Sequence, residues 1–105
     1  MGLIRTRVTV VGRKGRVRAD ALFDTGASHS MIREDLARRI GTPEELPEPK
    51  TFEAAVGSFT VRHGLFADIL LRRRRFFFAL VVARDLSEEV VLGADFLQQF
   101  HVKLY

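Results

Sequence analysis

Residues 21–32 read Ala-Leu-Phe-Asp-Thr-Gly-Ala-Ser-His-Ser-Met-Ile, a polar centre flanked by apolar residues. The residues before Asp24 predict a buried strand, so the carboxylate stands at its end, where it is costly unless something hydrogen-bonds or uses it. Thr25 supplies a hydroxyl, and Gly26 lets another backbone approach closely or turn with positive φ. The segment can present a carboxylate at the floor of a cleft. Asp and Gly are also common in plain turns, so the triplet alone leaves both interpretations open.

The residues before this segment predict a β-hairpin that leads into Asp24. Apolar and polar residues alternate from Ile4 to Val10 and again from Val17 to Phe23, which is typical of half-buried strands. The connection, Gly12-Arg13-Lys14-Gly15, is typical of a turn.

A helix is predicted directly after the Asp24 segment. Ile32, Leu36 and Ile40 fall on one helical face, and Ser30 is interpreted as the N-cap. Gly41 and Pro43 are expected to end this helix. Residues 42–50 contain three prolines and three glutamates and are predicted to form an exposed loop.

The second half of the chain returns to strand patterns. Strands are predicted over most of residues 52–71, with a hairpin tip at 56–58, and over 76–82, 90–92 and 102–105. Residues 72–75 are interpreted as a turn, and residues 94–99 as a short helix. The expected fold is one mostly β domain, residues 1–105, with two short helices.

Three motifs, in this order, resemble those of retropepsin-like aspartic proteases, especially the retrotransposon and cellular single-domain branch. Residues 21–32 resemble the active-site segment, and residues 54–59 (Ala-Ala-Val-Gly-Ser-Phe) resemble the flap hairpin. Residues 90–97 (Val-Val-Leu-Gly-Ala-Asp-Phe-Leu) resemble the second signature, in which apolar residues precede a glycine and a short helix. The resemblance extends from about Ile4 to Tyr105. It implies a retropepsin-like acid protease barrel with one or two short helices, functional as a symmetric homodimer.

The resemblance also implies that Asp24, Thr25 and Gly26 form the catalytic motif of an aspartic endopeptidase. In such enzymes two aspartates lie about 3 Å apart and share a proton, because both cannot ionise at that distance. One carboxylate acts as general base on a water molecule and the other polarises the scissile carbonyl. No cofactor or metal is expected. The chain has one Asp-Thr-Gly, so the second Asp24 would come from a symmetry-related subunit.

The same resemblance implies substrate-binding residues on two sides of a cleft, namely Ala27, Ser28 and His29 on one side and Val56, Gly57 and Ser58 on the other. Gly57 would let the flap close over a polypeptide substrate, although it can also be a plain surface glycine. Residues 101–105 would pair at the dimer interface, or else form an edge strand of a monomer.

The chain departs from the viral members of the family at one ionic contact. Those members carry an acidic residue about five positions after the catalytic aspartate, and it meets an Arg that follows the second-signature Gly. Here Ser28 and His29 occupy the first region and Ala94 follows Gly93, so that salt bridge is expected to be missing. Asp95 is interpreted as a residue of the helix N-terminus rather than as a second catalytic acid.

Composition excludes several other kinds of site. The chain has no cysteine, which excludes disulfides, thiolate zinc sites and a cysteine nucleophile. His29, His63 and His101 are too scattered for a metal signature. No apolar run reaches about 18 residues, and Arg5 and Arg7 make the first residues a poor signal peptide, so we expect a cytoplasmic protein without a membrane span.

Two other functions remain open from the sequence. The missing salt bridge is compatible with a catalytically inactive dimerisation or binding module that keeps the fold. The net charge of +4 and the run from Arg72 to Arg75 are compatible with a basic nucleic-acid-binding β domain. We favour the turn interpretation of this run, because arginines at strand edges prevent aggregation and no aromatic residue is interleaved. Nucleic acid is therefore not an expected partner.

Overall fold

A computed structural model describes residues 3–54 and 57–101 of the chain, with side chains for all of these except residues 3, 53, 54 and 57–59. In this part the elements are, in order, β1 (Leu3–Val11), β2 (Arg16–Asp24), β3 (Met31–Arg33), α1 (Glu34–Ile40), β4 (Glu44–Ala54), β5 (Gly57–Leu71), β6 (Arg74–Ala83), β7 (Val90–Leu92) and α2 (Ala94–Gln99). The prediction of a mostly β chain with two short helices is confirmed.

The strands close into a barrel. Their order is β1-β2-β7-β3-β6-β5-β4, and an additional pairing of β1 with β5 joins the ends of a six-strand ring. The predicted first hairpin is confirmed, since β1 pairs antiparallel with β2 from Leu3↔Asp24 to Val11↔Arg16. β4 lies outside the ring and pairs only with β5 among the strand pairs described.

Period-two alternation places the barrel core. Val17, Ala19, Ala21 and Phe23 of β2 are buried, while the polar residues between them point to solvent. In α1 the buried residues are Leu36, Ala37 and Ile40, so this helix packs against the barrel core. Asp24 is therefore the last residue of a strand that is held in place by its buried side chains.

Two sequence predictions are wrong in this region. The first helix begins at Glu34, with Arg33 as N-cap and no side-chain cap, so Ser30 does not cap it. Ile32 lies instead in β3, where it pairs with Val90 of β7 and Val82 of β6. The two short strands β3 and β7 meet the longer β6 here, and this pairing outweighs the helical spacing of Ile32, Leu36 and Ile40.

Residues 42–50 are mostly exposed, as predicted, but they are not a loop, because most of them belong to β4. The β4 ladder has an irregularity between Glu45 and Lys50, and this is where Pro47 and Pro49 lie. Proline cannot donate to a ladder but is tolerated at bulges and on edge strands. The sequence signal was therefore that of a bulged edge strand.

The turn predicted at residues 72–75 is shorter than expected. Only Arg72 and Arg73 form it, both with positive φ (50° and 68°), and Arg74 already belongs to β6. β6 alternates in burial through its first half and is fully buried only towards Ala83, with Phe77 64% exposed. Residues 76–82 are all apolar, but continuous burial is confined to residues 80–83.

Candidate active site

The Asp24 loop crosses the end of β7. β7 lies between β2 and β3, pairing parallel with β2 (Phe23↔Leu92) and antiparallel with β3 (Met31↔Val91). The loop that joins β2 to β3 must therefore pass over the residue that follows β7, which is Gly93. This topology brings together the two sequence motifs singled out above.

A tight turn holds the Asp24 carboxylate. Its Oδ1 accepts a hydrogen bond of 2.9 Å from the Gly26 amide, and its carbonyl accepts one of 3.1 Å from the Ala27 amide. Asp24 is half-buried, whereas Thr25 and Gly26 are exposed. The Gly26 amide thus orients the carboxylate, and the Ala27 amide closes the turn through the backbone, at the surface of the single chain.

Gly93 packs directly against this loop. A Cβ at this position would lie 2.5 Å from the Ala27 carbonyl oxygen and 3.0 Å from that of His29. Its φ of −93° is open to any residue, so the glycine is required by space and not by conformation. The next amide, of Ala94, donates a hydrogen bond of 2.7 Å to the Ala27 carbonyl.

A buried polar network joins the same two segments. The Ser30 hydroxyl donates to Asp95 Oδ1 (2.7 Å) and accepts from the Gly93 amide (2.9 Å), while the Ser30 amide donates to Asp95 Oδ2 (3.1 Å). Asp95 lies in the first turn of α2, as interpreted from the sequence. These hydrogen bonds connect the two regions that the resemblance would link through a salt bridge. Sequence reasoning missed the role of Ser30, because its partner is distant along the chain.

An apolar cluster separate from the main core reaches the active-site loop. Its buried members are Met31, Val61, Val81, Ala83 and Val91, and half-buried Ala27, Leu46, Phe52 and Leu86 pack against them. We call these nine residues the cleft cluster. The cluster extends from the loop, through Ala27, to β4, through Leu46 and Phe52.

Ser28 and His29 lie between the loop and β4. The Ser28 hydroxyl is 2.9 Å from His29 Nδ1, and the His29 ring meets Phe52 edge-on, with 5.0 Å between ring centroids. His29 also lines a groove with Glu45 and Lys50 of β4. Ala27 and His29 thus both pack towards β4, and the substrate-binding role of Ala27, Ser28 and His29 stays a prediction.

The predicted flap corresponds to the hairpin of β4 and β5. Ala54 pairs with Gly57, so this residue begins β5 immediately after the connection. Val56 lies outside the described residues, and Ser58 is described only as backbone of β5. The predicted interface strand, residues 102–105, also lies outside them. Within the described part, His101 is the last residue and adopts a positive φ of 55°.

Two other features are absent from the described part of the chain. No group of three His, Asp or Glu side chains in residues 3–54 and 57–101 is arranged to hold a metal ion. Neither α1 nor α2, the two helices of that part, is long and apolar enough to cross a membrane.

We call the connection from β7 to α2, at Gly93 and Ala94, the Gly93 turn. A closed six-strand barrel with an Asp-Thr-Gly turn packed on this Gly93 turn defines a retropepsin-like aspartic protease fold. A sequence profile of the family described as "gag-polyprotein putative aspartyl protease" matches residues 9–99, and the chain belongs to this family. The family suspected from the three motifs is therefore confirmed.

Solved structures show the same fold. The EIAV protease complexed with the inhibitor HBY-793 superposes with a TM-score of 0.73 at 22% identity, covering 98% of this chain and 92% of that one. The retroviral protease-like domain of Ddi1 from Leishmania major gives a TM-score of 0.70 at 16% identity, covering 96% and 79%. A comparison with curated proteins gave no match.

Proposed function

We propose that the chain is one half of a homodimeric aspartic endopeptidase whose active site is formed by Asp24 from each subunit. The observation that carries this proposal is the Asp24 turn. A carboxylate is held by the Gly26 amide at a surface where the next two residues are exposed, and the chain contains a single Asp-Thr-Gly. A two-fold axis beside this turn would bring two such carboxylates together.

The proposed chemistry needs both carboxylates. At about 3 Å separation the two carboxylates share one proton, even at pH values at which an isolated carboxyl group would be fully ionised. The ionised partner takes a proton from a bound water, the water attacks the scissile carbonyl, and the protonated partner hydrogen-bonds to the carbonyl oxygen. The C–N bond then breaks as the nitrogen receives the proton that the carboxylate took from water, and because water is the nucleophile no covalent enzyme intermediate forms.

The cleft cluster supports a polypeptide substrate with apolar side chains near the scissile bond. Ala27 and Leu86 are half-buried members of the cluster, which also contains the buried Val91 of β7. Burial of an apolar side chain against such a surface contributes about 25 cal/mol per Å². The related EIAV protease, whose structure contains an inhibitor, supports a ligand-binding cleft in this fold.

The direct experiment is Asp24→Asn, which keeps the shape and the oxygen that accepts from Gly26 but cannot ionise. Wild type is expected to cleave members of a peptide library, and the variant to lose this cleavage. Equal cleavage by both proteins would reject the role of Asp24.

Subunit mixing tests the shared site. If each site needs two ionisable Asp24 residues, an equal mixture of wild type and Asp24→Asn should, after subunit exchange, show about one quarter of the activity of the same total amount of wild type. Retention of one half would mean that each chain acts alone and would contradict the dimeric dyad.

A further inference from the structure

We infer that Ser30 and Asp95 are positioning residues that fix the Asp24 loop against the Gly93 turn. The inference rests on the proposed function for its effect on catalysis, but the physical link itself is a property of the folded chain. It assigns a role to a buried polar pair that the proposed chemistry does not use.

The network is complete on both side chains. Asp95 Oδ1 accepts from the Ser30 hydroxyl and from the Phe96 amide, both at 2.7 Å, and Oδ2 accepts from the Ser30 amide at 3.1 Å. The Ser30 hydroxyl is also an acceptor, for the Gly93 amide at 2.9 Å. Both carboxylate oxygens are therefore already engaged, which argues for a positioning role and against activation of water by Asp95.

Burial makes this network costly to break. Ser30 has 0% exposure and is the one buried polar side chain among the described residues. A buried donor or acceptor that loses its partner costs more than the hydrogen bond itself contributes, because the group is not rehydrated. The network therefore favours one relative position of the two segments.

Two backbone hydrogen bonds transmit that position to Asp24. The Ala94 amide, one residue before Asp95, donates to the Ala27 carbonyl at 2.7 Å, and the Ala27 amide donates to the Asp24 carbonyl at 3.1 Å. Ser30 itself is the last loop residue before β3, and its carbonyl accepts from the Val81 amide at 3.1 Å. The loop is thus fixed at its centre by the Ala94 amide, and at its far end by β6 and by the side-chain contacts of Ser30 with Gly93 and Asp95.

The main test is Asp95→Asn. One amide oxygen cannot serve all three donors now shared by Oδ1 and Oδ2, so either orientation places the amide nitrogen against a donor. We expect kcat to fall about 10- to 100-fold with little change in KM, because a small displacement of a catalytic group lowers the rate without weakening ground-state binding. The pH profile of kcat should also change, since the two apparent pKa values of the dyad depend on its geometry.

Matched variants separate positioning from general destabilisation. Ser30→Ala should reproduce the effect of Asp95→Asn, Ser30→Thr should retain most activity because it keeps the hydroxyl, and the double variant should be no worse than either single one. Asp68→Asn is the control, because Asp68 forms an ion pair with Arg75 on the outer face of β5. A fall in thermal stability with kcat and pH profile unchanged relative to the control would overturn the inference.

Amide hydrogen exchange, measured without substrate, decides the physical link independently of activity. We expect Asp95→Asn to lose protection at the Ala27, Ser30 and Gly93 amides, while β5 and β6 keep theirs. Unchanged protection at these three amides would overturn the inference even if the enzyme is active. If wild type cleaves no peptide, the proposed function fails, but hydrogen exchange still tests the link between the Asp24 loop and the Gly93 turn.

Discussion

The Ala94 amide donates a hydrogen bond of 2.7 Å to the Ala27 carbonyl, which joins the α2 N-terminus to the centre of the Asp24 loop. This contact is possible only because Gly93, the preceding residue, has no side chain. The two signature motifs of the chain therefore depend on each other sterically as well as through the Ser30 network.

Gly93→Ala tests this dependence. The added methyl group would lie 2.5 Å from the Ala27 carbonyl oxygen, so the loop must move, and we expect a loss of about 1–3 kcal/mol in the free energy of unfolding together with loss of activity. Urea denaturation and peptide cleavage measure the two effects.

Gly15→Ala is the matched control. Gly15 lies in the exposed turn between β1 and β2, where a Cβ would be at ordinary contact distance, 3.6 Å, from the Arg39 carbonyl oxygen. We expect a change within about 0.5 kcal/mol. Equal effects of the two substitutions would contradict the steric argument.

Strand periodicity and the Asp-Thr-Gly context were enough to predict the first hairpin and the position of Asp24. Both signals are local, because alternation reports burial of one strand face and Asp24 follows that strand directly. Gly93 could also be picked out, but only because residues 90–97 resemble the second signature of the family. The sequence did not show that Gly93 touches Ala27, because that contact follows from β7 lying between β2 and β3.

Ser30 and β4 show why the remaining features could not be predicted. A serine before helical spacing is a good N-cap, but here its hydroxyl contacts a distant aspartate, and tertiary pairing places Ile32 in a strand. Pro47 and Pro49 are typical of loops, yet an edge strand accepts them at a bulge. In both cases a contact between distant segments outweighs the local preference.

Acid should weaken the two ion pairs of Glu34, one with Arg38 within α1 and one with Arg84, which follows β6. Hydrogen bonds from Arg38 and then Arg84 lower the pKa of Glu34 below its ordinary value of 4.5. The stabilisation is fully present above that value and is lost as the pH falls through the lower pKa of the folded state. Urea midpoints measured below about pH 5 should therefore fall less steeply for Glu34→Gln than for wild type.

Arg84 provides a graded check of this pH dependence. Its Nε lies 3.2 Å from Glu34 Oε1, whereas Arg38 donates to Oε2 from within the same helix. Arg84→Ala should leave a pH slope between those of wild type and Glu34→Gln, since one donor remains. An unchanged slope in Glu34→Gln would exclude Glu34 as a source of the acid sensitivity.

Substitution in the turn between β5 and β6 should raise the stability of the protein. Arg72 and Arg73 both have positive φ, which side chains with a Cβ adopt at a cost, and two-residue turns of this kind favour Asn-Gly. We expect Arg72→Asn combined with Arg73→Gly to raise the free energy of unfolding by about 0.5–1 kcal/mol. Lower stability in urea denaturation would show that the two arginines make contacts that matter more than backbone strain.

The same variant tests the nucleic-acid alternative. Arg75 is paired with Asp68 at 3.1 Å, and the Arg74 guanidinium lies over the Phe76 ring at 4.9 Å, so part of the basic run is engaged within the protein. We expect no binding of single-stranded DNA at low salt by wild type, measured by fluorescence anisotropy. Binding that weakens steeply with salt and is reduced in the variant would favour the alternative.

The contact between His29 and Phe52 links the catalytic loop to the strand that leads to the predicted flap. Phe52→Leu keeps an apolar side chain in the cleft cluster but removes the edge-on aromatic contact of 5.0 Å. If β4 covers the bound peptide, a weaker attachment of β4 to the catalytic loop should reduce the binding of the substrate and of the transition state equally. We therefore expect KM to rise about 2- to 10-fold with kcat unchanged.

Phe66→Leu is the matched control for that substitution. Phe66 is 57% exposed and stacks on Phe77 at 5.5 Å on the outer face of β5 and β6, so it makes an aromatic contact, stacked rather than edge-on, that does not involve His29. Its KM should equal that of wild type. A fall in kcat for Phe52→Leu would mean that this contact positions the catalytic loop, whereas an equal rise in KM for both variants would mean that neither effect belongs to the cleft.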